Sequence, residues 1–213
     1  MQKSSFNLQT MPLTWLIIGA NVIIFLLQSS ETQFFLEKHM ALWSLGAQEG
    51  YYSNGGDFPP FQIWQLLTYG FLHGSTTHLF FNMFALFMFG LPLEQYWGRK
   101  RFATYYFTCL IGAGLIQLGV TWASEPPVLT LGASGAVFGL LLAYGAMWPR
   151  NRIMLLIPPI PIQARWFVIL YGGLQLFLGF SSSASNVAYF AHLGGMLFGA
   201  ILLWHWGWRP FRK

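Results

Sequence analysis

The sequence predicts an all-α, polytopic membrane protein, a six-transmembrane-helix bundle in which residues 1–213 form a single domain. Two observations predict this fold class. Only 8% of the residues are charged and 55% are hydrophobic, whereas a soluble domain carries about 25% charged residues. The apolar residues also gather in long uncharged stretches, and about 20 apolar residues suffice for a helix to cross the hydrocarbon core of a bilayer.

Six apolar stretches supply the predicted spanning helices. Tryptophans lie near most of their predicted ends, as aromatic residues do at a membrane interface. The fourth and fifth stretches are the shortest of the six. In chain order, the stretches are residues 12–28, 76–92, 102–123, 134–148, 166–180 and 188–206.

Two connections have compositions that predict their conformation. Residues 29–63 form the longest connection and mix apolar side chains with Glu37, Lys38 and His39, which is typical of short helices lying in the membrane interface. We therefore expect an interfacial helical loop between helices 1 and 2. Residues 157–161 read Ile-Pro-Pro-Ile-Pro and are too rich in proline for a helix, so they belong to the loop between the fourth and fifth helices.

The distribution of basic residues predicts the orientation of the bundle. Ten of the 11 Lys and Arg residues fall on one side of the alternating path, and only Lys38 falls on the other. The positive-inside rule places the basic side, and with it both termini, in the cytoplasm. The net charge of +5 is therefore explained by topology and predicts no nucleic-acid partner. The ten residues are Lys3, Arg99, Lys100, Arg101, Arg150, Arg152, Arg165, Arg209, Arg212 and Lys213.

Four polar residues fall within the apolar stretches and are functional candidates, because polar groups inside a membrane are costly. His78 and Asn82 lie in the second stretch, Ser134 begins the fourth, and His192 lies early in the sixth. The second, fourth and sixth helices run in the same direction. All four side chains are therefore expected at one depth, a short way below the outer surface.

Ser134 and His192 have the chemistry of a nucleophile and its base. A serine hydroxyl becomes a good nucleophile when a base takes its proton, and histidine does this near neutral pH. Small residues let two helices approach closely, so packing of the fourth helix on the sixth would bring the two side chains together. The small-xxx-small pairs that predict this packing are Gly135 with Gly139 and Gly195 with Gly199.

His78 and Asn82 are four residues apart and share one face of a helix. Their N–H groups, together with the backbone N–H of Ser134 at a helix N-terminus, are candidate donors to an oxyanion. His73 lies nearer the surface and is expected to hold the outer loop. No carboxylate lies at the right depth to complete a Ser-His-Asp triad. A hydrolase built on these residues would therefore use a dyad, with an imidazole oriented by helix packing and a modest turnover.

Each of these residues also has a structural interpretation. Serine in a membrane helix usually packs or bonds to its own backbone, and a membrane histidine is often a packing or hydrogen-bonding group. The pair His78 and Asn82 could be a polar clamp between helices. A transporter is a second alternative, although transporters usually carry intramembrane acids, which the six stretches lack. The His-Glu-x-x-His motif of metalloproteases is absent, and Asp57 is the one aspartate, so metallo- and aspartyl proteases are excluded.

Several motifs occur together in this sequence. They are Gly132-Ala133-Ser134-Gly135, the spacing of His73, His78 and Asn82, and Ala191-His192-Leu193-Gly194-Gly195 with Gly199. With residues 12–22 and 64–73, these motifs resemble the rhomboid intramembrane serine proteases. The resemblance covers nearly the whole chain and is to the basic six-helix bacterial form.

The resemblance implies an activity and a set of partners. It implies that Ser134 is the nucleophile, that His192 is the general base, and that His78, Asn82 and the Ser134 backbone form the oxyanion hole. Such proteases cut single-pass membrane proteins within the lipid bilayer, without cofactor or metal. The resemblance also implies a cap formed by residues 181–189 and a substrate gate at helix five. The short loops favour a bacterial inner-membrane location. It implies no oligomeric state.

Two positions depart from the family pattern. Phe138 stands where well-known members have a tyrosine stacked on the catalytic histidine, so stacking is expected without a hydroxyl contact. Gln65 stands where many members have arginine, which affects a loop contact only. A catalytically silent relative that binds membrane clients is the remaining alternative, although such relatives commonly lose the serine or the histidine.

Overall fold

The computed structural model shows a mostly helical chain. It describes residues 11–29, 31–45, 59–122, 124, 127–155, 158–181 and 187–208. A 3₁₀ turn (Tyr69–Phe71) follows α3, and a π-helical segment (Leu86–Gly90) joins α4 to α5 without a break. The helices are α1 (Leu13–Leu27), α2 (Gln33–Met40), α3 (Gln65–Thr68), α4 (Thr76–Ala85), α5 (Leu91–Trp97), α6 (Arg99–Val120), α7 (Ser134–Met147), α8 (Ala164–Ser181) and α9 (Val187–His205).

Helices occupy the positions of all six predicted stretches. Two of these helices are long and apolar enough to cross a membrane, because each has 22 residues and a mean hydropathy of 1.4. They are Thr76–Trp97 and Arg99–Val120. The apolar parts of α1, α7, α8 and α9 are shorter. The helical fold is therefore as predicted, and the six-span topology stays a prediction.

The predicted end of the second helix, at Pro92, is wrong. The helix continues through α5 to Trp97, and Gly98, with φ 78°, separates it from α6. A proline inside a helix lacks a backbone donor and crowds the preceding turn. Here the preceding turn is the wider π-helical segment, which gives the ring of Pro92 room. The extension brings Glu94 into the second helix, which therefore contains an acid that the predicted stretch lacks.

Two pairs of short antiparallel strands lie in the connections between helices. In the first connection, β1 (Leu42–Trp43) follows α2 and pairs antiparallel with β2 (Leu129–Thr130), which leads into α7. In the proline-rich connection, β3 (Arg152–Met154) pairs antiparallel with β4 (Pro161–Gln163). Of the predicted interfacial loop, α2 is helical and residues 46–58 lie outside the described residues. Its position in a membrane interface stays a prediction.

Glycines bring α7 and α9 into backbone contact. A Cβ at Gly195 would lie 1.8 Å from the carbonyl oxygen of Gly135, so no side chain fits between the two helices there. A Cβ at Gly199 would lie 2.3 Å from the hydroxyl of Tyr105 on α6. That hydroxyl donates a 2.9 Å hydrogen bond to the carbonyl of Gly139. The small-residue spacing noted in the sequence therefore lies at the contact of α6, α7 and α9.

Glu94 joins the second helix to the start of α1. Its carboxylate accepts hydrogen bonds from the backbone N–H groups of Leu13 at 2.5 Å and Thr14 at 2.8 Å, and from the Thr14 hydroxyl at 2.7 Å. The first N–H groups of a helix have no partner within the helix, and the helix dipole favours an anion beside them. A single buried carboxylate thus caps α1 from a distant part of the chain.

We expect Gly195→Ala to destabilise the bundle. Its methyl group must push α9 from α7, and overpacking typically costs about 1–3 kcal/mol, occasionally more. Thermal unfolding in detergent micelles measures the change. The matched control is Gly19→Ala on α1, where nothing lies within 4 Å of the added Cβ. Equal melting temperatures for the two variants would contradict the close α7–α9 contact.

Replacing Glu94 by alanine is expected to lower the free energy of unfolding by at least about 1.5–3 kcal/mol, the contribution of one hydrogen bond to a charged group, because Leu13 and Thr14 would lose their acceptor and α1 would lose its cap. The same unfolding assay measures the loss. Gln95→Ala changes an exposed neighbour in the same helix and serves as control. A Glu94→Ala variant as stable as Gln95→Ala would show that the carboxylate does not anchor α1.

Candidate active site

The structure brings Ser134 and His192 into hydrogen-bond contact. Ser134 is the first residue of α7, and His192 lies in the second turn of α9. The Nε2 atom of His192 lies 2.8 Å from the Oγ atom of Ser134. Both residues are half-buried, so the pair is accessible at one side. This geometry suits transfer of the hydroxyl proton to the imidazole.

The backbone before Ser134 is held by distant parts of the chain. The N–H of Gly132 donates a 2.9 Å hydrogen bond to the carbonyl of Tyr69. Gly132 has φ 118°, a region that side chains disfavour. A Cβ there would also lie 2.7 Å from the ring of His78. Glycine is therefore required at position 132 both for its conformation and for the approach of the His78 imidazole.

The N-terminus of α7 leaves a backbone donor available. The residue before the helix, Ala133, has no side-chain group that could cap it. The N–H of Ser134 is among the first four of the helix, which find no partner within it. The helix dipole adds a partial positive charge at this end. The site therefore combines a hydroxyl with a donor that favours an anion.

An aromatic ring lies flat against the imidazole. The rings of Phe138 and His192 are stacked, with centroids 4.2 Å apart and planes 6° apart. Tyr171 of α8 is also stacked on Phe138, with ring centroids 5.1 Å apart. Phenylalanine thus keeps the ring contact that the resemblance leads us to expect at position 138, without a hydroxyl. The stack limits rotation of the His192 ring.

A side chain that the sequence analysis missed lies at the other edge of the imidazole. The Nδ1 atom of His192 is 2.8 Å from the Oε1 atom of Gln175 on α8. Gln175 is 5% exposed. Gln175 is an amide, whereas the orienting group expected from a Ser-His-Asp triad is a carboxylate. A signal was present, because Gln175 is the one amide in the apolar stretch 166–180.

The predicted oxyanion donors His78 and Asn82 both lie in α4. The Ser75 hydroxyl accepts from the backbone N–H of His78 and caps the helix. His78 lies against Gly132, two residues before the serine. Asn82 is buried, and its Nδ2 atom donates a 3.1 Å hydrogen bond to the His78 carbonyl. An amide nitrogen has two N–H donors, so one is left for a second acceptor.

His73 lies in the connection before α4, and its side chain is buried. It is 1% exposed, and its ring lies edge-on to that of His78, with centroids 4.9 Å apart. Its backbone N–H and carbonyl bond to the side-chain amide of Gln28 at 3.0 Å and 3.2 Å. Burial lowers the pKa of His73 to about 4, and the neighbouring His78 contributes. The backbone contacts join this loop to α1.

Two further expectations concern the surroundings of the site. Most of the predicted cap, residues 182–186, lies outside the described residues. Among the residues described, no group of three or more His, Cys, Asp or Glu side chains is placed to hold a metal ion. The expectation that the protein needs neither metal nor cofactor stays a prediction.

Comparison with known proteins identifies relatives. The Rhomboid domain matches residues 60–209. Rhomboid protein 1, mitochondrial, of Saccharomyces cerevisiae is 29% identical over 91% of this chain and 53% of its own length. Rhomboid protease AarA of Providencia stuartii is 28% identical over 94% of this chain and 74% of its own. RHOMBOID-like protein 5 of Arabidopsis thaliana is 34% identical over 66% of this chain and 44% of its own length.

These relatives include mitochondrial and bacterial members of a family of membrane proteins. The chain spans about half the length of the yeast relative. The matched domain covers more than half of the chain and includes Ser134, His192, His78 and Asn82. The protein belongs to the rhomboid family.

Proposed function

We propose that this chain is an intramembrane serine endopeptidase that cleaves transmembrane segments of other membrane proteins by a Ser–His dyad. Ser134 is the nucleophile and His192 the general base. The observation that carries the proposal is the 2.8 Å contact between Ser134 Oγ and His192 Nε2. Family membership supports it, since the relative from Providencia stuartii is named a rhomboid protease.

In the acylation step, Oγ of Ser134 bonds to the scissile carbonyl carbon while its proton moves to Nε2 of His192. Collapse of the tetrahedral intermediate breaks the C–N bond, and the imidazolium gives its proton to the leaving amine. In deacylation, water loses a proton to His192 and its oxygen bonds to the acyl carbon. Oγ leaves and takes the proton back, so the products are a carboxylic acid and an amine.

The oxyanion is stabilised by donors from two helices. The backbone N–H of Ser134 lies at the start of α7, and the side chains of His78 and Asn82 lie on one face of α4. The position of His78 against Gly132 supports this assignment, because it keeps the imidazole next to the turn that carries Ser134. Donors fixed before the reaction need no reorganisation when charge develops.

The six-helix membrane topology is part of the proposal. Large apolar side chains of α8 and α9 are exposed, among them Leu170, Phe177 and Phe180 of α8 and Trp204 of α9. Such a surface suits lipid as the surrounding medium. The substrates would be single-pass membrane proteins that approach the site through the bilayer.

The basic residues support an orientation with both termini in the cytoplasm. Their described members, from Arg99 to Arg165, are all exposed. Arg101 lies 4.7 Å from the centre of the Trp206 ring, and Arg165 lies 5.4 Å from that of Trp166. Arginine beside tryptophan is typical of a membrane interface. In a bacterial inner membrane, the dyad would then open to the outer side.

A fluorophosphonate probe tests the assignment of Ser134. We expect the folded protein to be labelled and Ser134→Ala to lose labelling, because the probe bonds to an activated serine oxygen. Ser44→Ala removes another buried serine hydroxyl and should keep the labelling. A folded wild-type protein that is not labelled would favour a catalytically silent relative. Equal labelling of Ser134→Ala would assign the nucleophile elsewhere.

Alanine at Asn82 tests the oxyanion donors. We expect kcat on a model transmembrane substrate to fall about 10²- to 10³-fold, the usual effect of losing one such donor. Asn21→Ala is a matched control, because Asn21 is buried and donates the same kind of bond to the carbonyl four residues before it, at 2.8 Å. If both variants lose kcat equally, Asn82 acts on stability and not on the oxyanion.

A further inference from the structure

Gln175 has a contact that the two-residue mechanism does not use. Its Oε1 atom lies 2.8 Å from Nδ1 of His192, on the ring edge opposite to Ser134. The side chain is 5% exposed although it belongs to an otherwise apolar stretch. A buried amide is costly unless it is hydrogen-bonded, so this contact needs an explanation.

The tautomer of His192 explains it. A neutral imidazole carries one proton, so one ring nitrogen donates and the other accepts. Nε2 must accept the Ser134 proton if His192 is the base, and Nδ1 must therefore carry the ring proton. A proton on Nδ1 needs an acceptor, which is the chemistry of the Gln175 carbonyl oxygen. When His192 becomes an imidazolium, the same oxygen lies next to the positive charge.

Helix α8 holds His192 in a second way. Phe167, Tyr171 and Gln175 are four residues apart and share one face of the helix. Phe167 stacks on Tyr171 at 5.4 Å, Tyr171 on Phe138 at 5.1 Å and Phe138 on His192 at 4.2 Å. The helix therefore acts on the imidazole through the ring stack at its face and through the amide at its edge.

We propose that Gln175 is a positioning residue that fixes the tautomer and orientation of His192. The inference rests on the proposed function, in which His192 is the base. The amide does not touch the substrate, and it acts through the imidazole alone. The base is then assembled by three helices, with Ser134 from α7, Gln175 from α8 and His192 from α9. Displacement of α8 from α9 would remove the acceptor from Nδ1.

Gln175→Met tests this role, because methionine has a similar volume and no oxygen acceptor. We expect kcat on a model transmembrane substrate to fall about 10- to 100-fold with KM little changed. This is less than the roughly 10⁴-fold cost of replacing a triad carboxylate by an amide, because no charge is lost here. The rate of fluorophosphonate labelling should fall by a similar factor.

Two further variants separate positioning from stability. Gln175→Glu keeps an oxygen acceptor, and at alkaline pH, where the carboxylate is ionised, it should retain most of the kcat that Gln175→Met loses. Gln65→Met makes the same side-chain change at another buried glutamine, one whose Oε1 accepts from backbone N–H groups of the first connection. It should lower the melting temperature without a matching loss of kcat.

The outcomes distinguish the inference from the function on which it rests. A wild-type protein that is not labelled, or a Ser134→Ala variant that is, overturns the proposed function. Labelling of wild type together with an unchanged kcat in Gln175→Met overturns the positioning role alone. Equal losses of kcat in Gln175→Met and Gln175→Glu at alkaline pH also overturn it. A rise in KM with kcat unchanged overturns it as well, because it would indicate a role in substrate entry.

Discussion

The contact between the backbones of α7 and α9 is the constraint on which the site depends. Gly195 and Gly135 leave no room for a side chain between the two helices. This contact sets the distance between the helix that carries Ser134 and the helix that carries His192. The 2.8 Å separation of Oγ and Nε2 is therefore fixed by the bundle and not by flexible side chains alone. Sites built on rigid helices are more precise than sites built on loops.

The apolar surroundings explain how the remaining polar groups are arranged. Asn21 and Asn82 each donate to a carbonyl four residues earlier in their own helix, so part of their hydrogen-bonding capacity is met locally. The side-chain amide of Gln28 donates a hydrogen bond to the backbone carbonyl of His73 and accepts one from its backbone N–H. Glu94, a buried acid, is matched to backbone donors of α1. The hydrogen bonds of these four side chains thus reduce the free-energy cost of placing them in apolar surroundings.

The sequence was sufficient to predict the helical fold and the residues that meet at the site. Six apolar stretches coincide with helices, and polar residues inside them are few enough to single out Ser134 and His192. It was insufficient where the outcome depends on contacts between distant segments. The pairing of β1 with β2 and the cap formed by Glu94 leave no local pattern. The helix continues past Pro92 because of a π-helical turn that no propensity scale predicts.

No acid lies beside His192 in the predicted site, so helix packing is expected to orient its imidazole, and the proposed role of Gln175 adds a hydrogen bond to that packing. A buried carboxylate in an apolar environment must be paired or takes up a proton, and a protonated carboxyl would no longer be a reliable acceptor. A neutral amide oxygen accepts a hydrogen bond from the Nδ1–H group at any pH, and its desolvation cost is much lower than that of a carboxylate. It does not supply the negative charge that stabilises an imidazolium in a triad. A Ser-His pair supported by an amide would therefore gain a defined tautomer inside the bundle and remain a weaker base than a triad, and modest turnover stays a prediction.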